Sequence, residues 1–408
     1  MKCRHCDEKL KHTFIDLGSS PPSNAYLTKK TLKKPEIWYP LEVMVCDCCW
    51  LVQTEDFVKA DEMFANDYAY FSSYSTSWLK HAKSYVEQVS SKFNLNSEST
   101  VVEIAANDGY LLQYVKDKNI PCYGIEPTHS TAQSAREKGI EIIEDFFGVD
   151  IASSLEKQGR QANLMVANNI LAHVPDINDF VKGFSILLKP NGVATFEFPH
   201  VLNLINNNQF DTIYHEHFSY LSLTAVCNIF GVNGLTVFDV EQIPTHGGSL
   251  RIYAQRSDFG NHKVNTNVVD LQRKEDQAGI SGIELYQGFQ EQAEDIKNNF
   301  LSFLIKTKNN GYSVVGYGAA AKGNTLMNFS GVRPDLLAYV VDKSSAKQGK
   351  YMPGSRVPIV DEIQLKKDQP NYVVIFPWNI KNEVIEQLNY IKEWGGKFVV
   401  FIPSKQVI

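Results

Sequence analysis

A Tyr-His-Glu-His run at residues 214–217 places two imidazoles and a carboxylate within four residues. Histidine can act as a general base near neutral pH, and a neighbouring carboxylate can orient it or hold a substrate. In an extended segment, Tyr214 and Glu216 would face one side and His215 and His217 the other. No H-E-x-x-H spacing occurs and no third ligand has an obvious spacing, which excludes a metalloprotease. The cluster favours acid–base catalysis, with a structural network or a metal site as alternatives.

Cysteines form a second constellation near the start of the chain. Cys3 and Cys6 form one C-x2-C pair, and Cys46 and Cys49 form another. Two such pairs supply four thiolates that can meet on one tetrahedral Zn²⁺. Because residues 1–60 are too polar to build a large core, the metal would staple this segment. Chance clustering and redox catalysis are weaker alternatives, and Cys48 inside the second pair is expected to be a spectator.

The segment VVEIAANDGYLL runs from a predicted strand into a predicted helix through a loop with one glycine. A dinucleotide site would need G-x-G-x-x-G here, so that backbone amides can approach a pyrophosphate. The loop better fits a ligand without phosphate, such as S-adenosylmethionine (SAM). A carboxylate at Glu126 suits ribose hydroxyls, and Asp145 with Phe146 suits adenine, although each acid alone could simply begin a helix. The predicted cofactor-binding residues at these strand ends are Glu103, Ala105, Asn107, Gly109, Glu126, Asp145, Phe146 and Asn168.

Two further glycine-containing segments suit a phosphate or a sugar. In THGGSLR, residues 245–251, a pliable backbone lies beside a cation, which suits a phosphate or a sugar hydroxyl; a turn between strands is the alternative. The segment VVGYGAAAKGN matches G-x-G-x-x-A after a strand and suits a pyrophosphate at a helix N-terminus. The predicted substrate-binding residues of these segments and the following strand are His246, Gly247, Ser249, Arg251, Lys322, Asn324 and Asp342.

Short apolar runs alternate with amphipathic patterns from Thr100 onward, which predicts an α/β chain with parallel sheets. The strand–helix alternation restarts at residue 310, after a polar helical pattern from about Asn265 to Lys308 that we interpret as a connector. The predicted fold is a zinc-stapled N-terminal domain at residues 1–75, a Rossmann-like domain at 76–300 and a second, smaller Rossmann-like domain at 301–408.

Composition narrows the classes of partner. Lys and Arg total 40 against 46 Asp and Glu, giving a net charge of −6 without a long basic run, which disfavours nucleic-acid binding. No stretch approaches the roughly 18 apolar residues of a membrane helix, and no signal peptide is visible. We therefore expect a cytoplasmic protein, and a monomer is compatible with an interface between two α/β domains of one chain.

The motifs E-x-A-x-N-D-G and G-I-E-P resemble the SAM-binding region of class I methyltransferases. More narrowly, the chain is similar over essentially its whole length to sugar C-methyltransferases that act on nucleotide-linked deoxysugars. The family has a zinc-binding N-terminal domain, a SAM domain and a C-terminal α/β domain. Alanine and asparagine stand where the general methyltransferase motif E-x-G-x-G-x-G has two glycines.

The resemblance implies residue roles. His217 would be the general base, with Tyr214 and Glu216 positioning the substrate or stabilising an enolate, and His173 would join them. A tyrosine of the aromatic stretch is also implied, which leaves Tyr68 and Tyr70 open; we assign Tyr68 to catalysis and Tyr70 to the cofactor site.

The implied substrate is a nucleotide-diphosphate 4-keto-6-deoxysugar held by the C-terminal domain and methylated at carbon 3, with carbon 5 as a variant. A keto sugar is consistent with the base, because histidine can remove a C–H proton only beside a carbonyl. The zinc would be structural. The alternatives are an NAD-linked oxidoreductase acting on a nucleotide sugar, an O-methyltransferase, and a zinc-stapled adaptor without chemistry.

Overall fold

The computed structural model describes residues 1–57 and 71–408. An antiparallel sheet begins the chain, with strands β1 (His12–Ser20), β2 (Tyr39–Val45) and β3 (Val52–Thr54). The Cys3–Cys6 turn precedes β1, and Cys46–Cys49 lies in the turn between β2 and β3. The small sheet therefore carries both cysteine pairs at one end.

A Rossmann-like sheet follows, in the order β10-β11-β8-β7-β4-β5-β6. Its strands are β4 (Val101–Ile104), β5 (Cys122–Ile125), β6 (Glu141–Ile143), β7 (Ala162–Asn168), β8 (Leu188–Pro199), β10 (Leu235–Ile243) and β11 (Ser249–Arg256). The segments β4 to β8 pair in parallel, and β11 is antiparallel to both of its neighbours. The short strand β9 (Ser219–Tyr220) leaves this sheet and pairs with β3.

Helices accompany the strands of this sheet. They are α1 (Thr76–Lys92), α2 (Leu112–Asp117), α3 (His129–Glu137), α4 (Val149–Lys157), α5 (Ile177–Leu187), α6 (Val201–Asn206) and α7 (Leu223–Val232). Helix α1 shows why such segments fold: Ser75 caps its first turn by accepting the Trp78 N–H. Its buried residues Ala82, Tyr85, Val86 and Val89 recur at helical spacing on one face.

The second Rossmann-like sheet has the order β14-β13-β12-β15-β16-β17. Its elements are β12 (Val314–Tyr317), α10 (Ala321–Phe329), β13 (Val340–Val341), β14 (Ile359–Val360), α11 (Glu362–Asp368), β15 (Tyr372–Ile375), α12 (Lys381–Gln387), β16 (Lys397–Val400) and β17 (Gln406–Val407). Pairing is parallel except between β16 and β17. The strand–helix alternation predicted from residue 310 onward is confirmed.

The predicted connector forms two helices, α8 (Thr266–Ala278) and α9 (Phe289–Asn309). Phe289 of α9 stacks on Phe14 of β1 at 4.6 Å between ring centroids, and Phe300 packs on Phe401 at 4.8 Å. Helix α9 therefore lies in a common core with the N-terminal sheet and the C-terminal domain. The boundary expected at residues 300/301 falls inside this helix.

In the described part of the chain, no helix is long and apolar enough to cross a membrane.

Candidate active site

A cavity of about 800 Å³ lies between the two Rossmann-like sheets. In the first sheet the chain order reverses between β4 and β7, and in the second between β12 and β15. Such switch points leave a crevice at the carboxyl ends of the strands. Residues after β4, β5 and β7 line one side of the cavity, and residues after β12 and β15 line the other. The volume is near the upper end of roughly 300–1,000 Å³ for small-molecule sites, which leaves room for a cofactor and a second molecule.

The loop after β4 keeps the backbone shape of a glycine motif without two of its glycines. Ala105 and Asn107 have φ values of 57° and 49°, in the left-handed region that non-glycine residues rarely adopt. Both residues line the cavity. Gly109 does not; it has φ 73°, and a Cβ there would lie 2.5 Å from Ile140 Cδ1. Glycine at position 109 therefore allows the loop to pack closely against Ile140 and Ala135. This packing role does not require contact with a ligand.

Glu126 is the organising carboxylate of this side. Its Oε2 accepts the Asn107 N–H at 2.9 Å, while Oε1 accepts the Thr128 N–H at 3.0 Å and the Thr131 hydroxyl at 3.1 Å. A carboxylate offers about four acceptor positions, so Oε2 retains one toward the cavity that it lines. Burial raises the pKa of Glu126, and these donors oppose that shift.

The other predicted cofactor residues divide by position. Asp145, Phe146 and Asn168 line the same side of the cavity as Glu126. Glu103 lies in β4, 1% exposed and outside the cavity lining. Burial raises its pKa well above the usual range, and the Tyr110 hydroxyl interacts with it. Glu103 is thus buried near Tyr110 and Glu126 without itself lining the cavity.

Tyr214, Glu216, His217 and His173 come together in the cavity wall. His217 Nδ1 lies 2.9 Å from the Thr212 carbonyl oxygen, and its Nε2 lies 2.8 Å from the Tyr214 hydroxyl. A carbonyl can only accept, so Nδ1 carries the proton and Nε2 has a free electron pair. The Tyr214 hydroxyl donates to that pair. The geometry holds His217 in the tautomer that a base facing the Tyr214 side of the cavity requires.

The predicted alternation of the Tyr-His-Glu-His run is wrong. The chain turns at His215 and Glu216, and the His217 N–H donates to the Tyr214 carbonyl at 2.9 Å. The turn brings Tyr214, Glu216 and His217 to the cavity and sends His215 elsewhere. His215 Nε2 donates to the Pro40 carbonyl at 3.1 Å and its ring meets Tyr39, so this side chain docks the N-terminal sheet.

Burial keeps the cavity histidines neutral. The His173 ring lies 4.6 Å from the His217 ring between centroids. Burial lowers the pKa of His173 to about 4 and that of His246 to about 4. The pKa of His217 is lowered well below its usual value by burial and then by the nearby His173, with Lys322 adding to the effect. At neutral pH these imidazoles are therefore uncharged and able to accept a proton.

The THGGSLR segment is split by the start of β11. His246 lines the cavity, with φ 53°, and Trp78 meets its ring edge-on at 5.4 Å. Gly247, φ 91°, lies so close to Trp378 that a Cβ would approach its ring to 2.5 Å. Ser249 is buried and donates to the Thr245 carbonyl. The turn at His246 therefore lines the cavity, whereas the described residues of β11 do not.

Arg251 lies away from the cavity. Its Nε donates to Glu197 Oε1 at 2.6 Å and its Nη1 to Glu241 Oε2 at 3.2 Å. Glu197 also bonds His81 at 2.8 Å and is fully buried. Arg251 stands in β11, and its closer partner is the fully buried Glu197 carboxylate, whereas Glu241 is partly exposed. The structure thus replaces the expected substrate contact with an internal ion pair.

In the C-terminal domain, Lys322 alone of the three predicted residues lines the cavity. Its Nζ donates to Asn379 Oδ1 at 2.7 Å and lies 4.2 Å from the centre of the Trp378 ring. Burial lowers the pKa of Lys322 to about 8. Asn324 instead donates to the Ser23 carbonyl, and Asp342 accepts the Ala319 N–H at 2.8 Å, so both shape the loop around the site.

The four predicted zinc ligands meet at one point. The Sγ atoms of Cys3, Cys6, Cys46 and Cys49 all lie within 4.8 Å of one another. Cys3 and Cys49 are 3.5 Å apart, and Cys6 and Cys46 are 3.6 Å apart. Four sulfurs around a tetrahedral zinc with Zn–S of about 2.3 Å would be separated by about 3.8 Å. The donor set and spacing fit zinc, and Cys48 is exposed and apart, as predicted.

Tyr68 and Tyr70 lie outside the described residues. Sequence reasoning missed other cavity residues: Asn24 of the N-terminal domain, Trp78, Tyr110 and Lys347. Trp78 and Tyr110 belong to amphipathic sequence patterns, which predict packing in the core and give no indication of a ligand site. Asn24 stood in a polar loop about 190 residues from its partner Glu216, with no local signal.

Family models match the chain in three consecutive segments. Residues 3–64 match a "Putative zinc binding domain", residues 78–240 a "Methyltransferase domain", and residues 244–403 a "C-methyltransferase C-terminal domain".

One full-length relative and two solved structures are among the proteins to which the chain is similar. The chain is 31% identical over 407 residues to the C-methyltransferase NovU of Streptomyces niveus, an alignment that covers 100% of this chain and 96% of that protein. Among solved structures, magnesium protoporphyrin IX methyltransferase from Synechocystis PCC 6803 with bound SAM is 14% identical over 44% of this chain and 79% of its own, with a TM-score of 0.34. The PH0226 protein from Pyrococcus horikoshii OT3 is 14% identical over 46% and 95%, with a TM-score of 0.39.

The full-length relative and the family models favour carbon methylation over the NAD-linked, O-methylating and adaptor alternatives. They also agree with the thiol cluster at the N-terminus and with the switch-point cavity of the central sheet. The chain belongs to the SAM-dependent C-methyltransferases that carry a zinc-binding N-terminal domain.

Proposed function

We propose that the enzyme methylates carbon 3 of a nucleotide-linked 4-keto-6-deoxysugar through an enolate that His217 generates. The observation that supports this most directly is the fixed tautomer of His217. Its Nδ1–H is held by the Thr212 carbonyl and its basic Nε2 is bonded by Tyr214 in the wall of a cavity shared by two Rossmann-like domains.

The base dictates the kind of substrate. A neutral imidazole can remove a proton from carbon only where an adjacent carbonyl can accept the electron pair. The proton passes from carbon 3 to Nε2 of His217, and the C–H electrons delocalise onto the oxygen at carbon 4. As Nε2 takes the proton, the Tyr214 hydroxyl would turn from Nε2 and donate to that oxygen, and the Lys322 charge on the opposite wall would favour the anion.

The loop after β4 and the Glu126 strand end would hold SAM. The left-handed backbone at Ala105 and Asn107 and the remaining acceptor position of Glu126 fit a ribose and an amino-acid tail. Asp145, Phe146 and Asn168 extend this side toward an adenine. When bound, SAM supplies the electrophilic methyl group that the carbon nucleophile requires.

The nucleotide-sugar would lie against the C-terminal domain. The N-terminus of α10 opens into the cavity at Ala320, Ala321 and Lys322. Backbone N–H groups at a helix start together with an ammonium group suit a diphosphate. His246 on the facing turn completes this side. The two ligands would then meet between the switch points, next to His217.

The test is mass spectrometry of nucleotide-4-keto-6-deoxysugars incubated with the enzyme and SAM in heavy water. A no-enzyme sample reports spontaneous exchange. A gain of one methylene unit, with solvent deuterium entering the neighbouring carbon in the absence of SAM, would support the proposal. Methylation that leaves the α-deuterium of a labelled substrate in place would indicate O-methylation. No product from thymidine- and guanosine-linked sugars, despite SAM binding, would overturn the substrate class.

A further inference from the structure

The loop after β1 carries the N-terminal domain into the active site. It runs from Pro21 to Leu27, and Asn24 lines the cavity together with Glu216, Lys322 and Lys347. The cavity thus has walls from all three parts of the chain. This loop of the N-terminal domain does not merely close the cavity from outside. Its Asn24 side chain contacts Glu216 of the Tyr-His-Glu-His run.

The C-terminal domain fixes this loop. Asn324 of α10 donates to the Ser23 carbonyl, and the Tyr26 hydroxyl donates to the Ala319 carbonyl at 2.6 Å. Leu27 and Tyr351 exchange backbone hydrogen bonds of 2.9 and 2.8 Å. Contacts on both sides of Asn24 therefore set its place relative to the loop that carries Lys322.

Asn24 in turn forms hydrogen bonds with Glu216 of the Tyr-His-Glu-His run. Its backbone N–H and its side-chain amide both donate to Glu216 Oε1, at 3.3 and 3.2 Å. Glu216 is 3% exposed, and its Oε2 makes no hydrogen bond to the described residues. A buried carboxylate needs donors to remain charged and oriented. Asn24 supplies them to one oxygen, which leaves the other for a ligand in the cavity.

We propose that Asn24 is a positioning residue that holds Glu216 as a hydrogen-bond acceptor for a ring hydroxyl of the sugar. The hydroxyl donates to Oε2 while Asn24 retains Oε1, so the sugar is oriented with its reacting carbon toward His217. The identity of the hydroxyl-bearing ligand rests on the proposed function, whereas the link between Asn24 and Glu216 does not.

Other titratable groups share the surroundings of Glu216. The His173 ring donates to the Glu216 backbone carbonyl, and His217 follows in the chain. Tyr26 and Tyr220 lie close enough for Glu216 to raise their pKa values. His246, Lys322 and Lys347 line the same cavity. The Tyr26 hydroxyl also lies 3.5 Å from Asn24 Oδ1, but its shorter hydrogen bond, 2.6 Å, goes to the Ala319 carbonyl. The main hydrogen bond that Asn24→Ala removes is therefore the one to Glu216.

The experiment compares Asn24→Ala and the isosteric Asn24→Asp with the full-length wild-type enzyme. An exposed asparagine at the end of α9 provides the control Asn310→Ala. We expect kcat/KM for the keto sugar to fall about 10- to 100-fold in Asn24→Ala, as for a lost hydrogen bond to a charged group. Asn24→Asp should fall further, since it sets a second carboxylate against Glu216. SAM affinity by calorimetry and the control should be unchanged.

The pH dependence separates positioning from a merely structural effect. The amide favours the charged carboxylate, so its loss raises the pKa of Glu216 and moves the acid limb of the kcat/KM profile to higher pH in Asn24→Ala. A uniform loss at every pH, or unchanged kcat/KM in both variants, would overturn the proposal. A ¹³C-glutamate titration by NMR, with Glu216→Gln assigning the signal, needs no substrate. A raised Glu216 pKa there alongside an inactive wild type would refute the substrate class and leave the Asn24 inference standing.

Discussion

Replacing His217 by asparagine tests the proposed base with little disturbance of its surroundings. The Asn amide can still donate to the Thr212 carbonyl, which His217 Nδ1 contacts at 2.9 Å. The change removes Nε2, the atom that faces the Tyr214 hydroxyl at 2.8 Å. The variant therefore loses the basic electron pair while keeping the hydrogen bond that anchors the turn. SAM affinity should stay within about twofold, because the proposed cofactor residues lie on the other side of the cavity.

The expected magnitude follows from what the imidazole supplies. General acid–base catalysis contributes about 10²- to 10⁴-fold, which corresponds to roughly 3–5 kcal/mol of activation free energy. The depressed pKa of His217 leaves it unprotonated at pH 7, so the whole contribution is available in the wild type and lost in His217→Asn. We therefore expect kcat to fall by two to four orders of magnitude.

The assay follows solvent deuterium entering the sugar without SAM, together with product formation when SAM is present. The matched control is His215→Asn, because His215 stands two residues away but bonds the Pro40 carbonyl outside the cavity. His215→Asn should retain activity within a few-fold, and His217→Asn should lose both exchange and methylation. Deuterium exchange at the wild-type rate in His217→Asn would refute the assignment of the base. If His217→Asn still exchanged deuterium but formed no methylated product, His217 would act in a step that follows proton removal.

Three further substitutions test other parts of the site. Glu126→Gln should weaken SAM binding roughly 10- to 100-fold in calorimetry because a charged acceptor for ribose is lost; an unchanged Kd would contradict the assignment. Arg251→Ala should lower the free energy of unfolding in urea by about 3–5 kcal/mol, because Glu197 is left buried without its guanidinium; intact stability with a raised KM would instead favour substrate contact. Cys46→Ser should lose the zinc measured by plasma mass spectrometry and lower Tm by roughly 5–10 °C, whereas Cys48→Ser should change neither.

The strand ends of the site were predictable because parallel sheets impose them. Glu126, Asp145 and Asn168 each follow an apolar run, and the carboxyl ends of neighbouring strands meet at one edge. The same logic found Lys322 after β12. Glu103, by contrast, lies within β4 and outside the cavity lining. Arg251 also lies outside the lining. It stands in an unbroken strand pattern, which favours an internal position, but the glycines before it suggested a ligand-binding turn.

The turn at His215 and the loop at Asn24 were not predictable from local pattern. A turn at two residues, His215 and Glu216, decides which histidine of the run reaches the cavity. Polar residues such as these occur in turns as well as in extended segments, so their types do not predict the turn. Asn24 reaches Glu216 because Asn324, Tyr26 and Leu27 hold its loop, and these contacts span about 300 residues. Periodicity reports which faces of an element are buried, and it holds no information about contacts of this range.

Enclosure by three parts of the chain shifts the pKa values of the cavity residues in directions that agree with the proposed removal of a proton from carbon. Removing water raises the pKa of Glu216 and lowers those of His173, His217 and His246, so each group is pushed toward its neutral form. Lys322 stays near its charged form at pH 7, since its pKa is about 8. Its positive charge disfavours protonated His217 before a substrate arrives. The same charge would favour an enolate after proton transfer, so a single lysine on the opposite wall acts in the required direction on both sides of the step.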